Sequence, residues 1–107
     1  GLGNAMLHLL TGDEFDSAEA YRLNFVQKVV PAGEEVAAAL RIAQTIAEQA
    51  PAAVVATRLN TIKAVEHGPL AAVAEFIETQ RILANSEDAA EGVRSFVEKR
   101  PARFTGR

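Results

Sequence analysis

Five cations crowd one end of this sequence. Arg94, Lys99, Arg100, Arg103 and Arg107 succeed one another with Glu98 as the single carboxylate among them. In a chain whose formal net charge is −3, this local excess is the one electrostatic feature that points to an anionic partner. Cations near a helix C-terminus also complement the helix dipole, for a few tenths up to ~1 kcal/mol, so a structural reading stands beside the functional one. The other groups capable of chemistry are scattered. Glu66, Glu75, Glu78 and Glu91 have the type needed for acid or base work, but their spacing sets no two of them across a common cleft, and solvated helix faces account for them. His8 and His67 have no companion at ligand or catalytic spacing, and Ser17 and Ser86 read as helix caps, so no Ser-His-Asp set forms. There is no HExxH, no Cys/His cluster and no EF-hand spacing, which argues against a metal site. Thr11-Gly12-Asp13 has one glycine and no lysine, too little to cradle a phosphate.

The basic run needs an element to hold it. Asn85 and Ser86 can cap a helix, and Glu87, Asp88 and Glu91 fall in its first turns, where the dipole favours anions. Val93, Phe96 and Val97 share one face at i, i+3, i+4, so a single apolar stripe docks this helix, and Pro101 stops it. Upstream, an apolar helix around Ala5 to Leu10 ends at Gly12. Asp16 with Glu19 three residues on resembles a capping box and predicts a short helix over 17–23, closed by Asn24. Phe25 to Val30 reads as a strand bounded by Asn24 and Pro31, and a lone strand must find a partner for its edge, in a preceding region or in a second copy. Three further helices are predicted over 34–49, from Pro51 to His67, and over 70–84, each of the last two opened by a proline. The expectation is a mainly α chain of five to six helices with one short strand near 25–30.

Length and composition set the outer limits. The 107 residues allow one small domain with a modest core. An apolar fraction of 49% with only 6% aromatics suits closely packed helices better than a sheet sandwich. Without cysteine there is no disulfide framework, which is compatible with a reducing cytoplasmic setting. No apolar run approaches the ~20 residues of a membrane span, so no membrane partner is expected. An acidic chain whose basic tail carries only Phe96 and Phe104 as aromatics is a poor nucleic-acid binder. The opening Gly1-Leu2-Gly3, with no methionine, suggests a processed or cut product.

Two stretches carry a resemblance. Asp88-Ala89-Ala90-Glu91-Gly92, then Phe96-Val97-Glu98-Lys99-Arg100, then Pro101, Phe104 and Gly106 resemble the carboxyl end of the crotonase superfamily, the enoyl-CoA hydratases and isomerases. Leu10-Thr11-Gly12-Asp13, Asp16-Ser17-Ala18-Glu19-Ala20, Phe25-Val26 and Val29-Val30-Pro31 are similar to an earlier run of the same family. The resemblance covers the whole chain but only the back part of a family member. It implies that residues 1–31 end the crotonase-like core and that 32–107 form a C-terminal helical domain for oligomerisation and for covering acyl-CoA. It also implies that the family's spiral of β-sheet turns, with its oxyanion hole and catalytic carboxylates, lies outside these residues.

The resemblance also implies a role for the tail. In the family, subunits form trimers, often paired into hexamers, and a lysine of the last helix contacts the CoA of a neighbouring subunit; the matching residue is Lys99. An ammonium on a flexible stem suits the phosphates of CoA. The aromatic that often meets the adenine has no match, since Gln80 stands near its position and Phe76 a turn away. The expected function is therefore the C-terminal part of an enoyl-CoA hydratase or isomerase, a lyase of acyl-CoA or fatty-acid metabolism. It needs no cofactor beyond its CoA thioester substrate, and it lacks the catalytic core. The alternative is a helical protein-interaction module without a ligand.

Overall fold

The computed structural model describes all 107 residues. Six helices follow in order: α1 Leu2–Thr11, α2 Ser17–Arg22, α3 Glu35–Ala47, α4 Pro51–His67, α5 Pro69–Ala84 and α6 Glu87–Glu98. A nonhelical tail, 99–107, completes the chain.

The helix boundaries follow from local chemistry. Gly12 closes α1 at φ 74°, a left-handed conformation that glycine adopts without a Cβ penalty. Asp16 Oδ1 accepts from the Glu19 amide at 2.8 Å and starts α2. The second half of a capping box is missing, because the Glu19 carboxylate is taken by Arg22 at 2.6 Å on both oxygens. Asn24 follows α2 at φ 60°, as its tolerance of the left-handed region leads one to expect. Pro51 and Pro69 occupy the first positions of α4 and α5, where their missing N–H groups cost nothing.

The expected strand is corrected. Residues 25–30 form no ladder. The Phe25 amide turns back to Ala20 O at 2.9 Å, and its ring meets Phe15 at 5.4 Å between centroids. Strand propensity alone fixes no strand, because the backbone groups of an extended segment need a partner ladder and these residues have none here.

Contacts group the chain into two units, Gly1–Arg41 and Ile42–Arg107. In the first, His8, Phe15 and Phe25 form a ring cluster, with His8 4.3 Å from Phe15. In the second, α4 and α5 lie side by side and antiparallel, joined through Gly68 alone, with Lys63 of α4 in an ion pair with Glu75 of α5. Helix α6 packs on α5. Buried apolar residues are few and small: Ala20, Leu23, Ala38 and Ala72, with no large side chain fully enclosed.

Candidate functional site

The last helix and its tail build a site from polar groups. Ser86 Oγ caps α6 by accepting from the Ala89 amide at 3.0 Å. Helical spacing then places Asp88, Glu91 and Ser95 on one face, at i, i+3 and i+7, and this is the face that is buried. Asp88 is 4% exposed, whereas Phe96, on the stripe expected to dock, is 85% exposed. The helix is thus inverted relative to the usual pattern. Its carboxylates face protein, and Val93, Phe96 and Val97 face outward.

The tail explains the buried carboxylates, since a buried charge must be paired or hydrogen-bonded. It turns back and runs along α6 toward the helix start. Glu91 Oε1 accepts from the Arg103 amide at 2.9 Å and from Arg100 Nη1 at 2.5 Å, while its Oε2 accepts from Arg100 Nη2 at 3.0 Å and Arg94 Nη2 at 3.2 Å. One turn earlier, Asp88 Oδ1 accepts from the Thr105 amide at 2.7 Å and Oδ2 from the Gly106 amide at 2.8 Å. The Asp88 amide donates to Arg107 O at 3.0 Å. The two carboxylates therefore hold the tail at three backbone amides, and the Asp88 amide holds it at a fourth position. Gly106 takes φ 81°, and a Cβ there would sit 3.6 Å from Pro51, so backbone conformation is what demands glycine. Phe104 lies over Gly92.

Electrostatics follow the same geometry. The hydrogen bonds from Arg100, then the Arg103 amide, hold Glu91 down at about 2 against the burial that opposes them. Arg100 is pushed up by Glu91 and then by Glu98, which it meets through Nε at 2.6 Å. Two expectations are thereby corrected. Glu91 is not part of a solvated helix face, and the basic run is not five free cations, because Arg94 and Arg100 are neutralised by Glu91 and Glu98.

Lys99 stands apart from this network. It is exposed and makes no ion pair, and it adopts φ 52°, ψ 42°, the left-handed conformation. The Lys99 amide donates to Phe96 O at 3.3 Å and the Arg100 amide to Ser95 O at 3.1 Å, which together form a Schellman ending. Glycine is the usual occupant of such a position, and any other residue carries strain of roughly 1 to 2 kcal/mol. Helix α6 ends at Glu98 through this turn, so Pro101 follows the stop and does not make it.

The remaining candidates do not converge. Glu75 pairs with Lys63, Glu78 with Arg81 at 2.7 Å, and Glu66 lies beside His67 at 3.9 Å. Phe76 and Gln80 line one small cleft of about 110 Å³ between α4 and α5, and Gln80 also borders a second pocket with Asp88, Ala89 and Gly92 of α6 and with Phe104, to which Lys99 contributes nothing. Sequence reasoning missed Asp88 and Glu91 as holders of the tail. The available signal was their spacing with Ser95 on one face, followed by a turn and a run of amide donors.

An all-helical segment ending in a carboxylate-held tail beside a free lysine is the class of structure seen here. The chain belongs to the enoyl-CoA hydratase/isomerase family, whose profile matches residues 1–107. Among relatives, a probable enoyl-CoA hydratase of Mycobacterium tuberculosis is 34% identical across 100% of this chain and 42% of its own length. The carnitinyl-CoA dehydratase of Proteus mirabilis is 33% identical over 92% of this chain and 40% of its own. Among solved structures, a probable enoyl-CoA hydratase/isomerase from Mycobacterium abscessus superposes with a TM-score of 0.93 at 50% identity, covering 98% of this chain and 41% of that one. The chain therefore spans about two fifths of the length of these relatives and corresponds to the helical C-terminal part of a crotonase-like fold. No helix is long and apolar enough to cross a membrane.

Proposed function

We propose that these residues serve an enzyme acting on an acyl-CoA thioester, as a hydratase or an isomerase, and that Lys99 contacts a phosphate of its CoA. The relatives' names support the substrate class, since each describes a protein acting on a CoA ester. The observation that carries the Lys99 reading is its unpaired ammonium in a strained left-handed slot. A strained position filled by a residue other than glycine motivates a reason outside folding, and an exposed ammonium is suited to an anionic group. Coenzyme A enters as part of the substrate, with no further cofactor, and a cytoplasmic setting fits the lack of cysteine. The outward Val93, Phe96 and Val97 support a contact with other protein, and association of subunits into a trimer or hexamer is the form of contact that the family resemblance implies.

The test uses a full-length enzyme that carries these residues. Lys99→Glu is expected to weaken enoyl-CoA binding by roughly 1 to 3 kcal/mol, mainly in KM, with the difference shrinking as salt rises. Arg103→Glu and Arg107→Glu make the same charge change nearby and should have smaller effects. Lys99→Gly adds a second arm: it should relieve strain and raise stability by up to about 1 kcal/mol while weakening CoA binding. An unchanged KM for Lys99→Glu, or controls that match it, would refute the phosphate contact.

A further inference from the structure

Lys99 is free because its neighbours are occupied. The two carboxylates closest to it along the chain are Glu98, adjacent, and Glu91, two turns back, and Arg100 binds both. Arg100 keeps that position because the chain beyond it is fixed: the Arg103 amide is on Glu91, and the Thr105 and Gly106 amides are on Asp88. Without these anchors the left-handed turn at Lys99 would be held only by its own two Schellman bonds and by Arg107 O on the Asp88 amide, and its strain would favour release. A released tail would also free Glu98 and Glu91 to pair with the ammonium.

We infer that Asp88 and Glu91 are positioning residues: by holding the returning tail along α6 they keep Lys99 in its left-handed conformation, with its ammonium unpaired and available to a CoA phosphate. The inference rests on the proposed phosphate contact and adds the device that maintains it. It carries a sign that separates it from plain electrostatics. Both residues are anionic, so removing either charge raises the local positive potential and, by field alone, tightens the binding of an anion. Positioning makes the opposite prediction.

The experiment takes a full-length enzyme carrying these residues and compares Asp88→Ala and Glu91→Ala, each alone and combined with Lys99→Gln. Alanine keeps α6 helical, so the variants are expected to fold. Amide exchange at Arg103, Thr105 and Gly106 reports the tail, calorimetry with coenzyme A reports binding, and kcat is followed separately. The expected result is faster exchange at those amides and CoA binding weakened roughly three- to tenfold, within the lower part of the coupling seen between neighbouring groups. A small change in kcat and no further weakening once Lys99 is glutamine complete the expected pattern. Unaltered exchange would show that the carboxylates do not hold the tail. Faster exchange with unchanged or tighter CoA binding, or equal weakening in the Lys99→Gln background, would overturn the positioning role. If Lys99→Gln alone leaves CoA binding unaffected, the phosphate contact itself fails, a result separable from the others.

Discussion

Glu91 does two jobs at one carboxylate, pairing with Arg100 and Arg94 and accepting the Arg103 amide. Its folded pKa lies near 2, below the ordinary value of 4.5. A carboxylate with a depressed folded pKa contributes stability that is complete above its unfolded pKa and is lost as the pH falls toward the folded one. The tail should therefore stay docked through neutral and mildly acidic solution and loosen between about pH 4.5 and pH 2. Amide exchange at Arg103, followed across that window, checks the expectation, and Glu91→Gln should loosen the tail already at pH 7. Protection that is indifferent to pH over the whole window would show that the charge of Glu91 does not hold the tail.

At the scale of an element, α6 shows why an amphipathic pattern names two faces without saying which is inside. Val93, Phe96 and Val97 form the expected stripe, yet they are exposed, while Asp88, Glu91 and Ser95 are enclosed. Burying carboxylates is tolerated because each of their oxygens meets a donor from the tail. An apolar stripe left outward seeks cover, since each large apolar side chain buried is worth about 1.5 to 3 kcal/mol. Sedimentation of the 107-residue chain should accordingly show self-association at micromolar concentration, and Phe96→Asp should reduce it. A monodisperse monomer before substitution would count against the stripe as an association surface.

Over the whole chain the balance of burial is the dominant fact. Leu9, Leu10, Val65, Leu70 and Ile77 are exposed along with the α6 stripe, and the buried apolar set is limited to three alanines and one leucine. Surface of this kind belongs against other protein, in keeping with a chain that spans about two fifths of its relatives. Glu66, Glu75, Glu78 and Glu91 each lie beside a basic side chain, and no two of them line the same pocket. The purified 107-residue chain is therefore expected to show no hydration of crotonyl-CoA. Measurable turnover that is abolished by a point substitution within these residues would reverse that conclusion.

Much of this protein was legible one residue at a time. The caps at Asp16 and Ser86, the glycine stop at Gly12, the left-handed Asn24 and the prolines that open α4 and α5 each act within a turn of the chain, where sequence neighbours are also spatial neighbours. The family was legible for a similar reason, because its two motifs are contiguous runs. Tertiary structure decided the rest. Residues 25–30 have strand-forming composition but no ladder, since pairing depends on a partner that no local pattern supplies. The return of the tail onto Asp88, across 17 and 18 residues, and the left-handed turn at Lys99 depend on a reversal that composition does not announce. That reversal assigned the cations their partners, so the charge of Arg100 is spent inside the fold while that of Lys99 remains available outside it.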